Sequence, residues 1–359
     1  MRLLVTGGAG FIGTNFCRYW LAQHPEAKLI VLDKLSYAAN ISNLLGLEQY
    51  SNFVFVKGDI TDQALVTKLL TQYQINTIVH FAAESHVDNS IAAPKNFIQT
   101  NIVGTYTLLE AAKYCWAQCD HTCRFIHVST DEVYGSLAVG DPSFSENSAY
   151  APNSPYSASK ASSDHLVRAY HQTYGFPAVI TNCSNNFGPF QHAEKLIPTV
   201  ILNALNGKQI PIYGDGSNIR DWLYVEDHCK AIELIIEKGV VGEKYNIGGD
   251  TQVNNLVLAQ KICACIDALV ASTDEYQDRY PNCPASFGHS TQELITFVAD
   301  RLGHDFRYDI NCAKLKALGW CHTTQFETAL AGTVKWFLDH IKSVETVRGV
   351  CERDYSGGW

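Results

Sequence analysis

The sequence predicts an α/β fold built on a doubly wound parallel sheet, with a smaller mixed α/β part toward the C-terminus. Three observations predict it. Short apolar runs recur through the first half of the chain: Arg2 to Thr6, Lys28 to Leu32, Phe53 to Lys57, Asn76 to Phe81 and Phe125 to Val128. Unbroken apolar runs of that length read as parallel strands covered on both faces. The first run leads directly into Gly7-Gly8-Ala9-Gly10-Phe11-Ile12-Gly13 and then an apolar-periodic segment through Leu21. Glycines between a strand and a helix are the setting of a Rossmann-type dinucleotide turn. After Ser184 the strand–helix rhythm loosens. The chain therefore divides near residue 185: residues 1–185 as the cofactor domain carrying the chemistry, and 186–359 mainly as the substrate domain, with some exchange of segments.

Composition narrows the task. The 359 residues, 46% of them apolar, suffice for one large or two ordinary domains. Lys+Arg of 27 against Asp+Glu of 36 gives a net charge of −9. That balance disfavours nucleic acid or an anionic membrane as the main partner. No apolar run reaches the length of a membrane span. The N-terminal residues flow into the glycine turn, so they read as a first strand and not a signal peptide. Twelve cysteines without an export signal read as reduced thiols, and the expected compartment is the cytoplasm. Cys115, Cys119 and Cys123 recur every fourth residue with His121 between them. The stretch lacks a Cys-x-x-Cys knuckle, so these thiols are expected to pack as small hydrophobes and no metal is expected.

Taken in order, each element has its reason. In the glycine turn, Gly7 permits the tight turn, Gly10 lets backbone approach a pyrophosphate and Gly13 lets helix pack on strand. The helix N-terminus then faces the phosphates. The second strand ends in Asp33, twenty positions after Gly13. An acid there binds ribose hydroxyls and repels a 2′-phosphate, which favours NAD over NADP. The third strand ends at Gly58-Asp59-Ile60. Asp59 either accepts from an adenine amine or caps a helix from Thr61 to Gln72, and the sequence leaves both open. Small residues after the fourth strand, Ala82 and Ala83, let backbone come close to a cofactor, while His86 reads as structural. A long helix is expected from about Lys95 to Trp116. The fifth strand ends in Thr130-Asp131-Glu132, an acid pair delivered to the carboxyl end of a strand, where ligands sit in open sheets.

Ser154-Pro155-Tyr156 opens a helix to about Tyr174, with proline in its first turn. That helix carries Tyr156 and Lys160 on one face. The strand Ala178 to Cys183 ends in Ser184-Asn185-Asn186. Helices are expected near Ile197–Leu205, Val225–Glu237 and Leu256–Asp267, with a short strand over Lys244–Ile247. Residues 270 to 290, with Pro281 and Pro284, read as a loop or insertion.

In these residues the chain resembles the extended short-chain dehydrogenase/reductase family, and within it the nucleotide-sugar 4,6-dehydratases. The shared stretches are GGAGFIG at 7–13, LDKLSYAAN at 32–40, AAESHVD at 82–88, STDEVYG at 129–135 and YSASK at 156–160. Others are NNFGP at 185–189, EKLIP at 194–198, PIYGDG at 211–216, IRDWLYVED at 219–227 and DRLGHDFRY at 300–308. The resemblance covers residues 1 to about 320. It departs at Asn89, where the family usually has Arg, at Leu302, where it has Pro, and at Phe306, where Arg is common.

The resemblance implies an NAD site formed by Gly7, Gly10, Phe11, Ile12, Gly13, Asp33, Lys34, Ser36, Asp59, Ile60, Phe81, Ala82, Ala83, Ser85, Thr100, Tyr156, Lys160 and Asn186. It implies that Ser85, Thr130 and Asn185 contact sugar or phosphate, and that Lys195, Leu196, Pro211, Ile212 and Tyr213 surround the nucleotide. Arg220, Asn255, Arg301 and His304 fall at the diphosphate and base end. A planar guanidinium fork suits phosphate, which is the physical reason for Arg220 and Arg301. The implied substrate is a nucleotide-activated glucose, with thymidine ahead of uridine as the base. The implied reaction is C4 oxidation, loss of water across C5 and C6, and hydride return to C6, with NAD tightly held. Tyr156 takes the 4-hydroxyl proton with Thr130 and Lys160 assisting, Glu132 removes the C5 proton, and Asp131 protonates the departing 6-hydroxyl. The helices near 95–116 and 156–174 imply a homodimer, with Tyr106, Leu108, Leu109, Leu166, Val167 and Tyr170 named as apolar positions on more than one face. A 4-epimerase would leave the acid pair without work, a C6 decarboxylase would differ in product, and a non-catalytic NAD-binding protein would need neither pair.

Overall fold

The computed structural model describes residues 1–117, 119, 121–301 and 303–354. Its centre is a sheet of seven strands: β1 (Arg2–Thr6), β2 (Lys28–Asp33), β3 (Phe53–Lys57), β4 (Thr77–His80), β5 (Arg124–Thr130), β6 (Ala178–Cys183) and β10 (Lys244–Ile247). All pairings are parallel, and the spatial order is β3-β2-β1-β4-β5-β6-β10. The chain order reverses between β1 and β4, which places the ligand crevice above their carboxyl ends. The last edge strand comes from beyond residue 185, so the central sheet draws on both halves of the chain.

The strands are largely apolar because most of their residues are covered on both faces. Leu3, Val5, Leu29 and Val31 point into one core cluster, and Leu4, Ile30 and Leu32 into another. That alternation is the two-residue period of a strand. The helices on the two faces are α1 (Phe11–Gln23), α2 (Gln63–Gln72), α5 (Thr105–Trp116), α6 (Pro155–Tyr174) and α8 (Val225–Lys238). A third cluster fills the C-terminal part. It lies between α7 (Leu196–Leu205), α9 (Asn255–Ala271) and α12 (Phe326–Asp354), which breaks at His340. Small sheets top it: β7 (Asn185–Phe187), β9 (Ile219–Tyr224) and β11 (Gln252–Asn254) form one, and β8 (Ile210–Tyr213) with β12 (Ile295–Val298) the other.

Three expectations change. The helix after β4 is interrupted: α3 (Val87–Ala92) and α4 (Pro94–Phe97) lead into a π-helical turn over Ile98–Gly104 before α5 begins. The π turn carries none of the glycine or proline signals by which a helix break is read from sequence, apart from Gly104 at its end. Residues 270–290 are not a plain loop. They hold α10 (Asp274–Arg279) and a 3-10 turn at Pro284–Phe287, with Tyr276, Tyr280, Cys283 and Ala285 buried in the third cluster. Finally, Leu108, Leu109, Val167 and Tyr170 belong to the chain's own core. The apolar side chains that do face outward are Ile98, Val103, Tyr106, Tyr114 and Tyr174. One further short helix, α11 (Ala313–Ala317), packs near β10.

Candidate active site

The glycine turn leaves β1 with Gly7 at φ +71, and a Cβ there would lie 2.6 Å from the Ala82 amide nitrogen. At Gly13 an added Cβ would meet the Gly7 carbonyl oxygen at 2.3 Å. Both positions therefore require glycine. No side chain caps the start of α1, so its first amide groups remain available to an anion. Asp33 ends β2, where its carboxylate accepts from the Ala9 amide at 3.0 Å and the Leu35 amide at 2.8 Å. These bonds fix the acid beside the turn. Glycines without room for a side chain, an uncapped helix end and a fixed acid fit a dinucleotide such as NAD.

β5 delivers the acid pair. Thr130 ends the strand and starts a 3-10 turn over Asp131–Tyr134, accepting from the Glu132 amide at 3.3 Å and donating to Asp131 Oδ1 at 3.3 Å. Asn182 on β6 donates to the Thr130 carbonyl at 3.1 Å and holds the strand end in place. The helix α6 opens with a Ser154/Ser157 capping box and Pro155 in its first turn. That start aims Tyr156 and Lys160 back across β5, where Lys160 Nζ donates to the Val128 carbonyl at 2.8 Å. Asn101 braces the assembly: it donates to the Glu84 carbonyl at 3.0 Å and to Ser159 Oγ at 2.8 Å, and accepts from the Glu84 amide at 2.9 Å.

Burial sets the electrostatics. It pushes the Asp131 carboxyl well above its ordinary range, with the Glu132 and Asp221 charges adding to the effect. Glu132 is also raised by burial, but Lys195, Arg220 and Arg301 pull it back. The two carboxyls therefore differ in the cations that face them, which is how paired acids acquire different protonation states. Burial and the Glu132 charge hold the Tyr156 phenol protonated in the protein alone, and burial lowers the Lys160 ammonium.

One cleft gathers most of the expected residues: Gly7, Gly10, Phe11, Ile12, Gly13, Asp33, Lys34, Ser36, Ile60, Phe81, Ala82, Ala83, Ser85, Thr100, Thr130, Asp131, Glu132, Tyr156, Lys160, Asn185, Asn186, Lys195 and Leu196 all line it. Lys195 Nζ reaches the Ser85 carbonyl at 3.0 Å and bridges the two parts of the chain. Eight expected residues lie outside the lining. Asp59 neither caps α2 nor lines the cleft. It accepts from the Thr61 amide and hydroxyl, both at 2.9 Å, and the cap of α2 is Asp62. Pro211, Ile212 and Tyr213 lie on β8, with Ile212 buried and Tyr213 exposed. Arg220 is buried, donating to the Asp305 carbonyl at 2.9 Å and lying 4.4 Å from the Tyr308 ring centre. Asn255 opens α9, and its Oδ1 has no hydrogen-bond partner. Arg301 Nε lies 3.8 Å from Asp88, and His304 Nδ1 lies 2.7 Å from Asp300. Arg220 and Arg301 nonetheless act on Glu132, which joins this cationic end to the cleft. Among the departures, the Phe306 amide donates to Ser136 Oγ at 2.9 Å, and Leu302 lies outside the described residues.

Glu194 was not anticipated. It lines the cleft beside Lys195, and burial pushes it up to about 7 against the pull of that lysine. The signal was its place in EKLIP, but an acid next to a lysine reads from sequence as a solvated pair.

A cofactor turn and a Tyr/Lys pair on one sheet, opened by a second part that brings cations, is the arrangement of an extended short-chain dehydrogenase/reductase. Comparison with known proteins goes further. The chain belongs to the GDP-mannose 4,6 dehydratase family, whose sequence profile matches residues 4–333. It is 51% identical over 343 residues to a dTDP-glucose 4,6-dehydratase from Haemophilus influenzae, covering 94% of this chain and 98% of that one. A dTDP-glucose 4,6-dehydratase from Streptomyces venezuelae, solved with NAD bound, superposes with a TM-score of 0.85 at 43% identity over 97% of this chain and 100% of the other. A third, from Bacillus anthracis in complex with NAD, gives 0.83 at 40% identity over 97% and 99%. Among the described residues no helix is long and apolar enough to cross a membrane.

Proposed function

We propose that this protein dehydrates dTDP-glucose to the 4-keto-6-deoxy sugar nucleotide, as an NAD-dependent hydro-lyase. The observation that carries the reading is the buried Asp131–Glu132 pair lining the same cleft as Tyr156, Lys160 and the glycine turn. The relatives bear that activity by name. A 4-epimerase would have no use for two carboxyls there.

Bound NAD⁺ supplies the hydride acceptor for C4, the hydride donor for C6 and a positive ring that opposes the upward push on Tyr156. The protein supplies the rest. Gly7, Gly10 and Gly13 admit the pyrophosphate, and Asp33 receives the adenosine ribose. Tyr156 takes the proton of the 4-hydroxyl, with Lys160 favouring the phenolate and Thr130 holding the oxygen. The ketone formed acidifies C5, and Glu132 removes that proton. Asp131, protonated, gives its proton to the departing 6-hydroxyl, which leaves as water, and C5 regains a proton when C6 is reduced. Lys195, Arg220 and Arg301 receive the diphosphate.

Thymidine is the base, ahead of uridine. The outward apolar side chains along Ile98–Trp116 and at Tyr174 on α6 support a homodimer built on those helices. The described cysteines are all free thiols, which supports a cytoplasmic enzyme. Incubation with dTDP-glucose, UDP-glucose and GDP-mannose, followed by mass spectrometry for loss of one water, tests the reaction. Loss of water from dTDP-glucose first and fastest is expected. Epimerised sugar of unchanged mass would overturn it.

A further inference from the structure

The turn between α5 and β5 carries a second group of reactive side chains. Cys119 Sγ, a ring nitrogen of His121 and Cys123 Sγ all lie within 4.8 Å of one another. Among the described residues they are the one cluster of three or more histidine, cysteine or acidic side chains so arranged. The turn precedes β5, at the amino-terminal edge of the sheet. The cleft gathers at the carboxyl ends, so this group has no part in the reaction described above.

The three donors run from core to water. Cys123 is 9% exposed and packs in the same core cluster as Trp116 and Phe176, Cys119 is half-buried, and His121 is exposed. Neither thiol is in a disulfide. Each makes a weak bond to backbone: Cys119 Sγ donates to the Cys115 carbonyl at 3.4 Å, and Cys123 Sγ to the His121 carbonyl at 3.6 Å. Burial pushes the Cys123 thiol up to about 12, and the neighbouring Cys119 adds to this.

We propose that Cys119, His121 and Cys123 form a binding site for a thiophilic divalent cation of the zinc class, remote from the active site. Two sulfurs and an imidazole nitrogen are a soft donor set that suits zinc and not calcium or magnesium. Zinc holds sulfur at about 2.3 Å and nitrogen at about 2.0–2.1 Å, so tetrahedral ligands lie roughly 3.5–3.8 Å apart. The donors need to close by about an ångström. Binding expels the two thiol protons, with the bound cation replacing them as partner of both sulfurs. Because His121 faces solvent, the fourth position is open to water. A cation there ties His121 at the exposed end of the turn to Cys123, the residue before β5, and so stabilises the native chain by mass action.

The sequence hid this group because its spacing matches no zinc knuckle. Cys119, His121 and Cys123 alternate along the chain, and the turn brings all three to one side.

The test uses the full-length protein, reduced and stripped of metal, titrated with Co²⁺ and then with Zn²⁺. Expected are a thiolate-to-cobalt charge-transfer band saturating at one equivalent, its loss when Zn²⁺ is added, and a rise in melting temperature with Zn²⁺. Cys119→Ser should abolish the band, and His121→Ala should weaken Co²⁺ binding by at least about tenfold. His121 is exposed and Cys119→Ser is nearly isosteric, so both variants should fold, and cofactor retention checks this. Cys321→Ser, which removes an exposed thiol elsewhere, should leave the band unchanged. Absence of the band in the unaltered protein, or its persistence in Cys119→Ser, would overturn the proposal.

Discussion

Replacing Glu132 by glutamine separates the two halves of the proposed reaction. The substitution keeps the shape and the hydrogen-bonding reach of the side chain but removes its basicity. Glu132 is raised by burial yet faces Lys195, Arg220 and Arg301, whereas Asp131 is raised by burial with Glu132 and Asp221 beside it. Three cations face Glu132 and only Arg220 faces Asp131, so Glu132 is the readier of the two to ionise. Loss of a general base costs about 10²–10⁴-fold, or about 2.7–5.5 kcal/mol of transition-state stabilisation at 1.36 kcal/mol per decade. Oxidation at C4 uses Tyr156 and Lys160, which the change leaves in place. Glu132→Gln should therefore bind substrate and still produce the near-ultraviolet absorbance of reduced cofactor in a single turnover. Exchange of the C5 hydrogen with solvent deuterium should fall in step with turnover. Asp131→Asn should also show the absorbance but retain more exchange, because its lesion is at the leaving group. If Glu132→Gln exchanges C5 at a near-normal rate, Glu132 is not the base and the division of labour is wrong.

Other predictions follow from single contacts. Stripped enzyme should regain activity with NAD far better than with NADP, and Asp33→Asn should narrow that gap; equal activity of the unaltered protein with both would reject the role of Asp33. Gly13→Ala forces a methyl onto the Gly7 carbonyl and should cost about 1–3 kcal/mol, read as a lowered melting temperature together with lost cofactor retention. Sedimentation at micromolar concentration should give a dimer. Glutamate at both Tyr106 and Tyr114, which are 47% and 76% exposed, should shift it toward monomer, whereas a monomeric parent protein would rule out the assembly.

Much of this was legible because it is local. The strands at Arg2–Thr6, Phe53–Lys57, Ala178–Cys183 and Lys244–Ile247 have the limits their apolar runs announce. Each is a short run centred on apolar residues, with a turn residue beyond its carboxyl end. The glycine turn and the Tyr156/Lys160 pair were legible because backbone geometry dictates residue type at fixed spacing. What escaped depends on distant partners. Nothing near Arg220 in sequence says that it lies over Tyr308 and against the Asp305 carbonyl. Glu194 looks solvated until Tyr37, His86 and His192 are brought around it. The buried Tyr276 and Tyr280 disguise a packed segment as a polar loop, since its flanking residues are charged.

The acid pair also has to be tolerated by the fold, and that gives a prediction independent of activity. Unfolded, an aspartate titrates near 3.9. In the native chain Asp131 is held well above that, chiefly by burial. Below about pH 4 both states carry the proton and the site contributes its full stability. As pH rises, the unfolded chain gives up the proton while the native site keeps it, so the native state binds more protons and stability falls until the native value is passed. Inside that window each pH unit is worth about 1.4 kcal/mol for one group. Asp131→Asn cannot lose a proton and escapes this decline. Its melting temperature relative to the unaltered protein should therefore improve as pH rises from 5, by a degree or more per unit, until the native value is passed. Glu132 is present in both proteins, so its own titration largely cancels in the difference. A difference that stays flat over this range would mean that Asp131 ionises as readily in the folded chain as in water, and it could not then serve as the acid that protonates the leaving hydroxyl at neutral pH.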